Sequence, residues 1–293
     1  MKIKILIPVY NDFQSLSKLI ININSVISNL NAEFSIIIIN DSSTEKAEID
    51  ISNFDKIHSI KILNMRENKG HARCIATGLK YIFEKEEFDF VIPMDGDGED
   101  RPEEILKFLE FLNYDNSKPI VGERIKRSEG LIFKLSYSLH KLITYIFTGQ
   151  SIKFGNYTCL PKSTVEKMIN DKTTWSRFSG SLAKLEKKRS TIPSSRGSRY
   201  FGPSKMSFYN LIKHSLSIIA AFKTTVIIRS ILFYLIYLFL ISENLTYITS
   251  IPLILVVIFV ISILAISKRE NIEEYKNSLE NISDISKIKW MKK

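Results

Sequence analysis

Cysteine and histidine are scarce in this chain of 293 residues, which has two cysteines and four histidines. Cys74 and Cys159 form neither a spaced zinc pattern nor a disulfide framework, so we expect both to be small buried side chains. The histidines are too scattered along the sequence to predict a metal cluster. These scarcities exclude a disulfide-stabilised scaffold and a zinc module.

A secretory signal is also missing from residues 1–10, which run directly into a strand-like segment and offer no small-residue cleavage site. We therefore expect the catalytic part to lie in the cytoplasm. The net charge is +10, but the positive residues do not gather into one stripe with interleaved aromatics, which excludes a nucleic-acid partner. A membrane surface explains the local basic runs better.

Apolar runs alternate with helix-patterned segments through the first third of the chain. Strands are predicted at residues 2–8, 34–39, 57–65 and 88–93. Helices are predicted near residues 16–30 and 72–84. This alternation predicts an α/β fold with a Rossmann-like, mostly parallel sheet and helices on both faces.

Polar clusters follow the predicted strands at their carboxyl ends, where open α/β sheets bind their ligands. The clusters comprise residues 10–12, 40–44, 66–71 and 95–100. We expect these four clusters to converge on one crevice.

The last cluster is the most acidic, with Asp95, Asp97, Glu99 and Asp100 in six positions. Asp95 and Asp97 can place two hard oxygen ligands on one divalent cation, which takes its other ligands from water and from a substrate's phosphates. The alternative is a solvated turn, because Asp and Gly dominate turns for conformational reasons. An EF-hand is excluded, since Leu106 stands where that calcium loop requires a glutamate.

The pattern weakens after residue 112. Further elements are predicted as a strand near 119–123, helices at 131–148 and 163–169, and a turn at 154–156. Residues 187–205 form a basic segment rich in Ser, Gly and Pro, which predicts either a mobile functional loop or a plain linker.

Two long apolar runs follow in the last third of the chain. Residues 224–242 are broken only by Arg229, and residues 245–266 have no charge. Each run is long enough to span a hydrocarbon layer of roughly 30 Å at about 1.5 Å per residue. Basic residues before the first run and after the second predict a transmembrane hairpin with both ends in the cytoplasm. Two buried core helices are the alternative.

These runs divide the chain into four predicted parts. Residues 1–206 form the catalytic domain, 207–223 an amphipathic helix, 224–267 the hairpin and 268–293 a charged cytoplasmic tail. The amphipathic helix either lies in the headgroup plane or packs on the domain. For the tail we expect a helix or disorder.

Several short motifs occur in a fixed order along the chain. They are Ile7-Pro8-Val9-Tyr10-Asn11-Asp12, Asn40-Asp41-Ser42-Ser43, Asn68-Lys69-Gly70, Asp95-Gly96-Asp97 with Asp100-Arg101-Pro102-Glu103, and Gly122-Glu123-Arg124. Each motif is weak alone, but the ordered set at strand ends is specific. Over about residues 3–215 the chain resembles glycosyltransferase family 2.

The resemblance implies a GT-A fold and direct displacement with inversion at the anomeric carbon of a nucleotide sugar. It assigns Pro8, Tyr10 and Asp12 to the nucleotide pocket and Asp41 to the base, with Lys69 as a further candidate. It also makes Asp95 and Asp97 the ligands of the Mg²⁺ or Mn²⁺ ion on the diphosphate. Two departures, Ser42 in place of Gly and Glu99 in place of Gln, leave the donor and the acceptor geometry open.

Within the family, the chain is most similar to the polyprenyl-phosphate glycosyltransferases, some of which carry a C-terminal membrane hairpin. This similarity places Arg124 and Arg127 near the acceptor phosphate, together with the basic segment that contains Arg199, Ser204 and Lys205. Guanidinium groups suit a lipid phosphate. A phosphate acceptor is already anionic at neutral pH and requires no general base.

The sequence therefore predicts a multi-pass enzyme of the inner (cytoplasmic) membrane that transfers a sugar to undecaprenyl phosphate. An alternative enzyme transfers the sugar to a glycan or lipid-linked sugar hydroxyl, for which Glu99 or Asp100 would act as the base. A second alternative is a catalytically silent membrane scaffold of the same fold. The sequence is compatible with a homo-oligomer and does not identify the sugar.

Overall fold

The predicted alternation of strands and helices is present in the computed structural model, which describes residues 1–45, 54–126, 131–202 and 208–290. The strands are β1 (Lys2–Val9), β2 (Glu33–Asn40), β3 (Ile57–Met65), β4 (Phe90–Pro93), β5 (Ile120–Lys126), β6 (Phe154–Pro161), β7 (Ser190–Ser195) and β8 (Ile282–Trp290). The helices are α1 (Phe13–Val26), α2 (His71–Lys85), α3 (Glu104–Leu112), α4 (Leu131–Thr148), α5 (Lys162–Ile169), α6 (Phe178–Leu185), α7 (Phe208–Ala220), α8 (Lys223–Ile241), α9 (Tyr247–Ser267) and α10 (Ile272–Lys276).

Eight strands of the described residues form one sheet in the order β7-β5-β6-β4-β1-β2-β3-β8. β1 is parallel to β2 and β4, β2 is parallel to β3, and β5 is parallel to β7. β6 is antiparallel to both of its neighbours, and β8 is antiparallel to β3. The prediction of a mostly parallel sheet flanked by helices is confirmed.

Apolar side chains cover both faces of the central strands, as expected for a parallel sheet. One face packs against α1 and α3, and the other packs against α2, α5 and α6. Helix α2 approaches β1 closely at Gly78, where a Cβ atom would lie 2.3 Å from a Leu6 methyl group. Cys74 and Cys159 are free and buried, as predicted.

Two predicted segments are wrong in the region after α4. The turn predicted at 154–156 is the start of β6, which inserts between β4 and β5 and buries Tyr157 and Cys159. The loop predicted at 187–205 contains β7, which pairs with the edge of β5. Along β7, the buried residues Ile192 and Ser194 alternate with exposed ones, as in a strand with one buried face. Both strands depend on a pairing partner that is distant in the sequence.

The two apolar runs form the long helices α8 and α9, joined by a short turn. By length and composition both can cross a membrane, and most of each apolar window is exposed. Helix α7 precedes them and packs against them through Ile219 and Ala220, which form a small core with Val226 and Ile263. The described part of α7 therefore contacts the hairpin through one of its faces.

The segment after the hairpin is helical only in part, and the sequence does not predict its strand. It forms the short helix α10 and then β8, which pairs with β3 from Met65↔Ile282 to Ser59↔Trp290. β3 would otherwise present an edge of unpaired N–H and C=O groups, and pairing with β8 satisfies one side of it. The end of the chain thus returns to the sheet of the first part.

Candidate active site

The acidic cluster lies directly after β4, at the carboxyl end of the parallel strands. Two hydrogen bonds fold it into a tight turn. The Asp95 N–H donates to Asp100 Oδ2 (2.9 Å), and the Glu99 N–H donates to Asp97 Oδ1 (2.9 Å). This turn holds the carboxylates of Asp95 and Asp97 at the same edge of the sheet.

Asp95 is flanked by two side chains from other elements. Its Oδ1 atom lies 3.3 Å from Nε2 of His71, at the start of α2, and 3.4 Å from Nδ2 of Asn156, in β6. The His71 and Asn156 nitrogens are themselves 2.8 Å apart. Burial would raise the pKa of Asp95, but the charge and hydrogen bond of His71 outweigh burial and lower it. Asp95 is therefore held as a carboxylate.

Asp97 is bridged to Asp12 by a guanidinium group. Arg199 donates from one terminal nitrogen to Asp97 Oδ2 (2.6 Å) and from the other to Asp12 Oδ2 (3.1 Å). Burial and repulsion by Asp95 raise the pKa of Asp97, although Arg199 and Arg196 oppose the shift. The Arg199 guanidinium thus lies between a carboxylate of the acidic turn after β4 and a carboxylate at the start of α1.

The acidic cluster suits a divalent cation by its chemistry. Burial, and after it the charge of Asp95, raises the pKa of Asp100 well above its usual range. The described residues contain no group of three or more His, Cys, Asp or Glu side chains that could enclose a metal ion. Asp95 and Asp97 would therefore supply part of the coordination shell, as is usual for Mg²⁺-type ions that keep water and substrate oxygens.

Asp41 is nearly fully buried at the carboxyl end of β2 and organises the loop before α2. Its carboxylate accepts hydrogen bonds from the backbone N–H groups of Lys69 (2.7 Å) and Gly70 (2.9 Å). Gly70 has φ +86°, a conformation that favours glycine. The Lys69 ammonium is paired with Glu67 (2.6 Å) and lies 3.4 Å from Glu274. Asp41 and Lys69 are thus adjacent, as the predicted crevice requires.

The other nucleotide candidates lie at the end of β1. Pro8 is buried, and its carbonyl oxygen would lie 3.2 Å from a Cβ atom at Gly96. Tyr10 is exposed, and Asp12 caps α1 by accepting a hydrogen bond from the Ser15 N–H (3.4 Å). The end of β1 therefore borders the acidic turn.

The basic segment after β7 lies over the acidic turn through residues 196–202. The Gly197 N–H donates to the Glu99 carbonyl (2.8 Å), and the Tyr200 N–H donates to the Asp97 carbonyl (2.9 Å). The Tyr200 ring would lie 2.5 Å from a Cβ atom at Gly98, whose φ is +89°. Glycine is required at position 98 both by its backbone conformation and by this contact.

The predicted acceptor residues are only partly described. The Arg124 guanidinium lies beside Gly155 of β6, close enough for its charge to act on Asp95 and Asp100. Arg199 contacts the acidic turn as described above. Arg127, Ser204 and Lys205 lie outside the described residues. Glu99 pairs with Arg196.

Sequence reasoning does not predict the contacts that three side chains, His71, Asn156 and Arg196, make with the cluster. The sequence pattern places Asn156 in a predicted turn and Arg196 in a predicted loop. Both reach the cluster through strands whose pairing the sequence does not predict, and His71 is one of four scattered histidines.

A comparison with protein families decides the classification. The family described as glycosyl transferase family 2 matches residues 4–172. The chain belongs to glycosyl transferase family 2. Membership of this family identifies the protein as a glycosyltransferase and confirms the predicted resemblance.

Among curated proteins, similar sequences in the family include undecaprenyl-phosphate 4-deoxy-4-formamido-L-arabinose transferases of Salmonella choleraesuis and Salmonella newport. Each is 28% identical over 232 residues, which cover 76% of this chain and 68% of the relative.

Among solved structures, two similar folds are informative. One is glucosyl-3-phosphoglycerate synthase from Mycobacterium tuberculosis, solved in complex with Mn²⁺, UDP-glucose and phosphoglyceric acid. Its TM-score is 0.52 at 13% sequence identity, and the match covers 77% of this chain and 79% of that chain. The other is S. aureus TarS 1–349 in complex with UDP-GlcNAc, with a TM-score of 0.52, 14% identity, and coverage of 96% and 89%. At this identity they establish the fold, and the predicted GT-A architecture is confirmed.

Proposed function

We propose that this family 2 glycosyltransferase is a membrane-anchored, inverting enzyme that transfers a sugar from a nucleoside-diphosphate sugar to a polyprenyl phosphate at the cytoplasmic leaflet. The observation that carries the proposal is the acidic turn of Asp95 and Asp97 at the carboxyl end of β4, in a chain that continues into two long apolar helices. The names of the Salmonella relatives, which are undecaprenyl-phosphate transferases, support the acceptor.

Asp95 and Asp97 would hold a Mg²⁺ or Mn²⁺ ion on the donor diphosphate. When bound, such an ion neutralises the charge that builds up on the departing nucleoside diphosphate. His71 and Asn156 keep the Asp95 carboxylate oriented. The mycobacterial synthase of the same fold was solved in complex with Mn²⁺, which supports a divalent ion at this turn.

The nucleotide would bind between the end of β1 and the loop before α2. Tyr10 is exposed there, and Asp41 fixes the Lys69–Gly70 backbone that would border the pocket. Glu67 and Glu274 hold the Lys69 ammonium in this loop, and its remaining N–H would donate to an anionic diphosphate. TarS, which shares the fold, was solved in complex with UDP-GlcNAc, and this complex supports a nucleotide-sugar donor.

A phosphate acceptor agrees better with the acidic turn than a hydroxyl acceptor does. A hydroxyl would require a general base, and the two carboxylates available for that role are already engaged. Glu99 pairs with Arg196, and Asp100 is buried and accepts a hydrogen bond from the Asp95 backbone. Arg124 acts on Asp95 and Asp100 by its charge and Arg199 contacts Asp97, so both place positive charge at this turn that would attract an anionic acceptor.

The test is a transfer assay with purified full-length protein, a panel of nucleotide sugars, undecaprenyl phosphate, and either Mn²⁺ or EDTA. We expect transfer that requires the metal and falls at least about 100-fold in Asp95→Asn and Asp97→Asn. The matched control is Asp115→Asn, on an exposed loop after α3, which should retain wild-type turnover.

Glu99→Gln separates the two acceptor classes. Turnover close to wild type supports the phosphate acceptor, whereas loss of turnover with intact donor binding supports a hydroxyl acceptor. Full activity in a variant with alanine at both Asp95 and Asp97 would overturn the proposal.

A further inference from the structure

The residues that follow the membrane hairpin contact the loops that border the proposed nucleotide pocket. We use the term tail segment for residues 271–287, which comprise α10, the turn after it and the described side chains of β8. Neither the motifs nor the family match, which ends at residue 172, includes this segment.

The first contact is made by Glu274 of α10. Its carboxylate accepts a hydrogen bond from Trp175 Nε1 (2.9 Å) and lies 3.3 Å from an Arg73 guanidinium nitrogen and 3.4 Å from Lys69 Nζ. The next residue, Tyr275, is fully buried, and its ring stacks on Trp175 with centroids 5.4 Å apart. Glu274 therefore holds two cations at the start of α2 in fixed positions.

The second contact is a chain of hydrogen bonds that begins in β8. Asn64 Nδ2 donates to Asp284 Oδ2 (2.8 Å), and Asn64 Oδ1 accepts from Asn40 Nδ2 (2.8 Å). Asn40 Oδ1 accepts from the Ser43 N–H (3.0 Å), and Ser43 Oγ accepts from the Asn11 N–H (2.9 Å). The chain links the outermost strand to the loops that follow β1 and β2.

A third contact supports the loop between β3 and α2. The Arg66 N–H donates to the Asn281 carbonyl (2.8 Å), and Asn281 Nδ2 donates to the Glu67 carbonyl (3.4 Å). The same loop continues to Lys69 and Gly70, which Asp41 holds from the other side. The tail segment and Asp41 thus fix this loop between them.

We infer that the tail segment is a positioning element of the donor site, in which Glu274 and Asp284 hold the loops that receive the nucleoside diphosphate. This inference rests on the proposed function, because it takes those loops to be the nucleotide pocket. Pre-organised loops lose less conformational entropy when a ligand binds. Freeing them weakens nucleotide binding without removing any group that touches the nucleotide.

The test measures binding of UDP, GDP, CDP and dTDP to the full-length protein in detergent with Mn²⁺, by isothermal titration calorimetry. We expect the nucleotide that binds wild type to bind about tenfold more weakly to Glu274→Gln and to Asp284→Ala. The matched control is Glu273→Gln, because Glu273 is exposed and pairs only with Lys276 among the described residues. It should bind the nucleotide as wild type does.

Kinetics separate positioning from a merely structural role. A positioning role raises the donor KM and leaves both kcat at saturating donor and the KM for undecaprenyl phosphate near wild type. A structural role lowers Tm and kcat instead, and that result would overturn the inference. A variant that ends after Asn281 tests the contribution of β8 as a whole. If this truncated protein does not fold, the Glu274→Gln and Asp284→Ala variants alone decide whether the tail segment positions the donor loops.

The two proposals fail in distinguishable ways. Unchanged nucleotide affinity in Glu274→Gln and Asp284→Ala, with normal binding by wild type, overturns the role of the tail segment alone. Absence of binding of all four nucleotides by wild type overturns the proposed function, and this inference with it.

Discussion

Asp100 is the most deeply buried carboxylate of the acidic turn, with 6% of its surface exposed. Burial and repulsion by Asp95 raise its pKa well above the usual range of an aspartate. A raised pKa in the folded state means that protonation favours folding. The stabilising contribution is complete below about pH 4 and is lost as the pH rises through the raised pKa. At neutral pH, Asp100 therefore costs the folded protein stability.

We predict that Asp100→Asn raises the Tm at pH 7 by about 2–4 °C. Asparagine keeps an oxygen that accepts the Asp95 N–H, but it carries no charge that repels Asp95. The gain should shrink as the pH falls toward about 4, where wild-type Asp100 is protonated in the folded state. Thermal unfolding between these pH values measures the effect.

The control for that measurement is Asp115→Asn. Lys118 and Ser117 hydrogen-bond to Asp115 and lower its pKa, so this substitution should bring no gain at pH 7. A lower Tm for Asp100→Asn at pH 7, or a gain that is independent of pH, would contradict the electrostatic explanation.

At the residue scale, the sequence predicts the acidic turn but not its partners. Asp95 and Asp97 follow an apolar run and carry their own motif, so their place at a strand end is predictable. Their contacts come from far along the chain, since Asn156 is 61 residues from Asp95 and Arg199 is 102 residues from Asp97. Such pairings are set by strand order, which local patterns do not contain.

At the scale of elements, strands with a clear local sequence pattern are predicted, and strands that depend on distant pairing are not. β1 to β4 are mostly buried on both faces and consist mostly of apolar residues. β7 and β8 lie at the two edges of the sheet and contain polar and charged residues. An edge strand buries little apolar surface, so its sequence shows little of the apolar pattern from which strands are predicted.

Arg229 interrupts the first apolar run, and its contacts explain why a charge is tolerated there. Its guanidinium donates to the carbonyls of Ile146 (2.8 Å) and Tyr145 (3.3 Å) in the last turn of α4. The last carbonyls of a helix have no partner within the helix and attract cations. Arg229 of α8 thus joins the end of α4 to the hairpin.

We predict that Arg229→Met lowers the Tm by about 2–4 °C, because the α4 carbonyls lose a charged donor. Nucleotide binding should stay at the wild-type level, since Arg229 contacts the end of α4 and the proposed donor pocket is formed by other elements. Thermal unfolding and nucleotide titration of the same preparation measure both effects.

Lys268→Met, an exposed position at the end of α9, serves as the control for Arg229→Met and should leave the Tm unchanged. An unchanged Tm in Arg229→Met would show that the carbonyl contacts contribute nothing.

At the scale of the whole molecule, a buried group of charges connects the catalytic part to the hairpin. Glu270, just after α9, accepts from Arg177 at the start of α6 (2.5 Å) and pairs with Lys223 at the start of α8 (3.0 Å). The Arg177 and Glu270 side chains are only 1% and 3% exposed. Arg177 also donates to the Ile266 carbonyl (3.2 Å). This cluster fixes the catalytic part relative to the two apolar helices.

We predict that Glu270→Ala lowers the free energy of unfolding by about 3–5 kcal/mol, because it leaves the Arg177 guanidinium buried without its carboxylate. Arg177→Met should cost less, because the Glu270 carboxylate keeps its pair with Lys223 (3.0 Å). The double variant should cost less than the sum of the two, since no unpaired charge then remains between these partners. Urea unfolding of the four proteins in detergent gives the coupling energy, with exposed Glu273→Ala as the control. Strictly additive effects of the two substitutions would show that the pair does not hold the hairpin to the catalytic part.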